Sequence, residues 1–111
     1  MKNEKIQEIS EYIVNCTFEE LCELSGKTLS KKFEISASQL SSEFKKQKKI
    51  TLSLFILQVK LTRSIHLMFM HPELTINEIS EKIGYENSIH YGRIFKQNFG
   101  KSSGKYRNLR Y

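Results

Sequence analysis

Chain breakers are scarce in this sequence. Its 111 residues include one proline, Pro72, and five glycines. A fold of short strands and tight turns needs far more of both, so long uninterrupted stretches predict helices. Cysteine is scarce too. Cys16 and Cys22 lie six positions apart, which is no C-x-x-C pair and is about 240° round a helix. Two buried thiols in a reducing cytosol are expected, not a bridge. His66, His71 and the two cysteines form no zinc-type pairing, and there is no H-E-x-x-H and no Ser/His/Asp grouping. No metal, no cofactor and no enzymatic activity are expected. The N-terminus, MKNEKIQEIS, is too polar for a signal peptide. The most apolar run, Leu52 to Met70, is interrupted by Gln58, Lys60, Arg63 and His66. It reads as a helix inside a soluble protein, with no membrane role, and the cytoplasm is the expected location.

What the chain does have is positive charge. Eighteen Lys and Arg oppose twelve Asp and Glu, a net charge of +6, and the pI is near 9.4. Such an excess points to a polyanion, nucleic acid first and anionic membrane second. The stretch NFGKSSGKYR contains Gly100-Lys101-Ser102, the tail of a phosphate-binding loop. The pattern G-x-x-x-x-G-K-[ST] puts its first glycine at position 95, which is Phe95. A nucleotide loop is therefore not expected.

Helix signals recur along the chain. Ile6, Ile9, Ile13 and neighbouring Val14 share one helical face. Thr17-Phe18-Glu19-Glu20 is a capping box, where the chain breaks and restarts. Ser25 caps a short helix to about Phe33, with Leu24 as its staple. Ser36-Ala37-Ser38-Gln39 is another capping-box pattern and opens a helix through Leu40 and Phe44 to about Lys48. A long helix from about Leu52 to Met70 stops at His71-Pro72. Thr75-Ile76-Asn77-Glu78 opens a short helix to Ile83, and Gly84 sits where a left-handed residue is wanted. Asn87 caps a helix from about Ser88 to Asn98, and the last helix starts near Ser102 or Ser103 and carries Tyr106. The predicted fold is all-α with about seven helices. It is organised as 1–50 (N-terminal helix and first subdomain), 51–71 (linker helix) and 72–111 (second subdomain).

The chain also repeats itself. Shifted by 50, Ser25 meets Thr75, Leu29 meets Ile79, Ser30 meets Ser80 and Phe33 meets Ile83. After one extra residue the shift is 51, and Leu40 meets Tyr91, Phe44 meets Phe95, Lys45 meets Lys96, Thr51 meets Ser102 and Phe55 meets Tyr106. Each repeat is a capped short helix, a tight turn and a longer helix. That is the layout of a helix-turn-helix, whose second helix enters the DNA major groove.

The segment TINEISEKIGYENSIHYGRIFKQNFGKSSGKYR resembles the C-terminal signature of AraC/XylS-type transcription regulators, loosely I-x-E-I-A-x-x-x-G-[FY]-x-[DS]-x-S-[YH]-F-x-R-x-F-K-x-x-x-G-x-[ST]-P-x-x-[YF]-R. Ile76, Glu78, Ile79, Gly84, Tyr85, Arg93, Phe95, Lys96, Gly100, Ser102, Tyr106 and Arg107 fall in place. Leu24 through ISASQLSSEFKK resembles the family's other helix-turn-helix, and Leu52 to Met70 its linker helix. Departures are Ser80 for alanine, Ser103 for proline, Ile89 and His90 for the usual polar and aromatic residues, and Lys60 for the linker arginine. Glu34 stands at the turn position that is glycine in the second unit. The resemblance implies two helix-turn-helix subdomains, regulation of transcription as an activator, and contact with RNA polymerase. It fits a stand-alone regulator or the C-terminal part of a longer protein.

A linker helix of about 18 residues spans roughly 27 Å, against roughly 34 Å between successive major-groove faces. One monomer is therefore expected to read two adjacent segments of double-stranded DNA. Candidate base contacts are Ser38, Gln39, Ser41 and Ser42 in the first recognition helix and Ser88, Ile89, His90 and Arg93 in the second. Arg93 suits guanine O6 and N7, and Ile89 a thymine methyl. Candidate phosphate contacts are Lys45, Lys46, Lys49, Asn87, Lys96, Lys101, Ser102 and Arg107, with Lys48 and Lys105 beside them. The alternative is a helix-turn-helix that binds DNA without sequence preference.

Overall fold

The computed structural model describes residues 2–108, and every element among them is helical. The helices are α1 (Lys2–Asn15), α2 (Phe18–Cys22), α3 (Gly26–Lys32), α4 (Ala37–Lys48), α5 (Leu52–Met70), α6 (Ile76–Lys82), α7 (Ser88–Phe99) and α8 (Ser103–Asn108). These eight agree with the expected all-α fold of about seven helices, the Thr17 capping box opening a separate five-residue helix. The expected caps are formed. Thr17, Ser25 and Thr75 each accept a backbone N–H three residues on, and the third residue's side chain returns the bond. Ser36 and Asn87 cap α4 and α7 from the side-chain oxygen, so at Ser36 the expected capping box is formed in its first half.

The chain divides into two compact units, Met1–Val59 and Lys60–Tyr111, with the division inside α5. In unit 1, Ile6, Ile9 and Ile13 of α1 are fully buried with Leu21, Leu29, Leu40 and Phe44. Val14 lies one step round the helix from Ile13 and is 48% exposed, so it is not part of that face. Lys5 ties α1 to α3, its Nζ donating to the Phe33 carbonyl at 2.9 Å. Lys48 ties α4 to α1, donating to Gln7 Oε1 at 2.6 Å. In unit 2, Leu61, Met68, Ile79, Ile83, Tyr91 and Phe95 are buried.

Two sequence expectations change. Cys16 is buried, its thiol donating to the Ile13 carbonyl at 3.4 Å, but Cys22 is exposed. Cys22 ends a one-turn helix whose buried side chain is Leu21. Helix α5 is, by length and composition alone, apolar enough to cross a membrane despite its four polar interruptions. Leu61, Ser64 and Met68, at steps of three and four, are nonetheless its buried stripe in unit 2, the pattern of a helix packed inside a protein.

Candidate nucleic-acid interface

The two units build the same local object from the same bonds. In α3 and α6 the cap is followed four residues later by a buried aliphatic, Leu29 or Ile79. The helices end on Phe33 and Ile83, and the next residue is left-handed in both: Glu34 at φ 54 and Gly84 at φ 100. The residue after that bonds back, Ile35 N to Ser30 O at 3.0 Å and Tyr85 N to Ser80 O at 2.9 Å. The chain therefore leaves each short helix in the same direction.

Helices α4 and α7 follow, each twelve residues long. Each buries one aromatic or aliphatic residue four positions after its cap, Leu40 or Tyr91, and a phenylalanine eight after it, Phe44 or Phe95. Each ends on a left-handed residue, Lys49 at φ 63 or Gly100 at φ 77. The helix that comes next is capped alike: Thr51 Oγ1 accepts from Leu54 N, and Ser102 Oγ from Lys105 N, both at 3.2 Å. Its aromatic packs back edge-on, with Phe44 and Phe55 centroids 5.2 Å apart and Phe95 and Tyr106 centroids 5.3 Å apart.

Because those buried positions fix which face is inside, they also fix which face is out. On α4 the exposed residues Ser38, Ser41, Ser42, Lys45, Lys46 and Lys49 follow steps of three and four along one stripe. On α7 the same register gives the exposed Ile89, Arg93, Lys96, Gln97 and Gly100, with Gly92 half-buried beside them. In both helices the N-terminal half of the stripe is uncharged or hydrogen-bonding and the C-terminal half carries lysine. Ile89 is 73% exposed, an unusual place for a large aliphatic side chain. Gln97 was not singled out in the sequence, and shares the stripe with Arg93 one turn away.

The remaining candidates sit around these stripes. Gln39 and Ser88 are half-buried at the first turns of α4 and α7. His90 is exposed, and its ring stands edge-on to Tyr85 at 5.5 Å. Asn87 Oδ1 accepts the His90 N–H at 2.7 Å, which leaves its amide nitrogen to donate outward. Lys101, Ser102 and Lys105 are exposed at the start of α8. Arg107 is half-buried and tied down within unit 2. Its Nη1 donates to the Leu74 carbonyl at 2.7 Å and its Nη2 to the His71 carbonyl at 3.1 Å, so any phosphate would share a guanidinium already engaged. Tyr91 donates to Ser64 Oγ at 2.9 Å, and Ser64 to the Leu61 carbonyl at 2.7 Å, which locks α7 onto α5 in unit 2. Burial, above all, raises the Tyr91 phenol to about 12, so it stays a neutral donor. Lys60, at the linker arginine's place, lies over the Tyr85 ring at 5.5 Å. Among the described residues no group of three or more His, Cys, Asp or Glu could hold a metal ion.

A helix-turn-helix domain family model matches residues 29–109. The fold is shared with solved structures of transcription regulators. The C-terminal domain of AraT, a response regulator from Geobacillus stearothermophilus, is 22% identical with a TM-score of 0.85, covering 95% of this chain and 84% of that one. The C-terminal domain of the two-component response regulator yesN from Fusobacterium nucleatum is 27% identical with a TM-score of 0.76, covering 95% and 96%. The DNA-binding domain of AdpA, a global transcriptional factor, was solved in complex with a target DNA; it is 14% identical with a TM-score of 0.81, covering 94% and 90%. Among curated proteins, none matches the sequence significantly.

Proposed function

The chain belongs to the AraC-type helix-turn-helix family of DNA-binding transcription regulators, and we propose that it recognises particular sequences of double-stranded DNA, with α4 and α7 as its recognition helices. The observation that carries this reading is the common register of the two exposed stripes. Each places readable side chains at the helix N-terminal half and lysines one to two turns later, which is how base contacts and phosphate contacts divide along a recognition helix. In this reading Ser38, Gln39, Ser41 and Ser42, with Ser88, Ile89, His90 and Arg93, face base edges. Lys45, Lys46, Lys49, Asn87, Lys96, Lys101 and Ser102, with the shared Arg107, face phosphates. Helix α5 has 19 residues, about 28 Å at 1.5 Å each, and a linker of that length suits two successive major-groove segments read by one monomer.

Family membership supports the further parts of the proposal: a cytoplasmic protein, not an enzyme, that activates transcription through contact with RNA polymerase. The serines of α4 favour a second arrangement, in which unit 1 grips the backbone and unit 2 does most of the reading, because hydroxyls serve either base. Arg93→Ala tests the proposal. Loss of an Arg–guanine pair costs about 1–3 kcal/mol and relaxes preference at one base pair. Equal weakening on every duplex would instead make Arg93 a phosphate contact.

A further inference from the structure

Gly92 is the fifth of the twelve residues of α7 and lies half-buried at the edge of its exposed stripe, three after Ile89 and four before Lys96. Glycine is the costliest residue but proline inside a helix, because its backbone loses the most freedom on ordering. Three ordinary reasons keep one there, and none applies. The backbone does not demand it: the described glycines at positive φ are Gly84 and Gly100. Packing does not demand it: a Cβ at Gly92 would meet nothing within 4 Å, whereas at Gly26 it would meet Leu52 Cδ2 at 3.9 Å. Helix termination does not demand it, since α7 runs on to Phe99. In unit 1 the same position, five residues after the cap, is Ser41, in a helix of the same length.

The orientation of this gap is fixed. Tyr91 and Phe95 are 0% exposed and lie about 100° and 60° round the helix from Gly92. That puts Gly92 on the flank between the buried face and the stripe, and the Tyr91–Ser64 hydrogen bond holds α7 in that rotation. Ile89 and Arg93 therefore flank the gap on the reading end and Lys96 on the other.

We propose that Gly92 is a specificity-determining position, its missing side chain forming a notch that admits a base-pair edge of the major-groove floor against the α7 backbone. This rests on the DNA-reading function proposed above. Ile89 and Arg93 reach base edges beside the notch, and Lys96 holds a phosphate beyond it. A side chain at position 92 lifts the helix away from the bases and lengthens each neighbouring contact.

The test sets stability against recognition, because the two are expected to move in opposite directions. Wild type, Gly92→Ala and Gly92→Ser are compared by thermal unfolding. Their binding is measured on the duplex that wild type enriches from a random pool and on a scrambled duplex. Gly92→Ala is expected to raise Tm by about 4 °C, the gain of alanine over glycine in a helix interior. Both variants are expected to lose at least about tenfold on the enriched duplex, the scale of one base contact. Both keep their affinity for the scrambled duplex, which phosphates govern. Undiminished binding of Gly92→Ala to the enriched duplex overturns the notch, as does a lowered Tm or an equal loss on both duplexes. If wild type does not distinguish the two duplexes, the sequence-reading function fails and the notch with it. If wild type distinguishes them and Gly92→Ala does so equally well, only the notch fails.

Discussion

Glu34 and Gly84 hold the same place in the two units: each directly follows the C-cap of the first helix, and each is left-handed, at φ 54 and φ 100. An L-residue in that region carries strain of about 1–2 kcal/mol that glycine does not. Glu34→Gly is therefore expected to stabilise unit 1 by up to about 1 kcal/mol, the rest being offset by the freer unfolded chain. Gly84→Ala is expected to destabilise unit 2 by about 1–2 kcal/mol. Urea unfolding of both variants checks the pair, and matching signs would contradict the shared turn geometry.

The capping boxes predict an acid-sensitive fold. Glu20 and Glu78 each accept a backbone N–H, from Thr17 and Thr75, at 2.9 Å. That hydrogen bond, first among the causes, holds both carboxyls below their ordinary value. A carboxylate with a lowered folded pKa contributes fully above its unfolded pKa and is lost as pH falls through the folded one. Glu78→Gln keeps an oxygen for the Thr75 N–H but cannot titrate. Its urea midpoint is expected to fall less than that of wild type as pH is lowered from about 6 to about 3. Identical acid limbs would show that the carboxylate cap contributes nothing.

Arg107 predicts a separation of fold from binding. Its two hydrogen bonds close the loop between α5 and α6 from α8. Arg107→Ala is expected to destabilise the protein by about 1.5–3 kcal/mol, as for hydrogen bonds from a charged donor. Arg107→Lys recovers only part, since an ammonium has no fork to span two carbonyls. Where the same guanidinium also meets a phosphate, the salt slope of DNA affinity, measured well below Tm, falls by about one in Arg107→Ala and is kept in Arg107→Lys, which retains the charge. An unaltered slope in Arg107→Ala assigns Arg107 to the loop alone.

The lysine halves of the two stripes predict a matched pair of effects. Lys45→Ala and Lys96→Ala, at equivalent places in α4 and α7, are each expected to weaken binding to all duplexes alike and to reduce the salt slope by about one. Filter binding across a salt series measures this. A sequence-dependent loss at Lys96 would move it from the phosphate contacts to the base contacts.

The parts of this molecule that sequence made legible are those that short-range rules govern. Caps at Thr17, Ser25, Ser36, Thr75 and Asn87 declare themselves within four residues, and the two-unit repeat follows from their spacing with the buried residues four and eight positions on. From those core positions the exposed stripes follow by helix geometry alone. The tertiary bonds could not be read in the same way. Lys48 reaches Gln7 across 41 positions, Arg107 reaches Leu74 across 33, and Tyr91 reaches Ser64 across 27. No local pattern marks those partners: Lys48 looks in sequence like any other cation, and the signature that Arg107 matches does not say which carbonyls it meets. Val14 and Cys22 went astray for the opposite reason, since a neighbour's burial says little about a side chain about 100° further round a helix.

The central claim is that α4 and α7 both read DNA, and selection of binding sites from a pool of random duplexes tests it most directly. The account predicts an enriched motif of two blocks about one helical turn apart, with Arg93→Ala relaxing one position within a single block. A pool that emerges from selection without any enriched motif would contradict it.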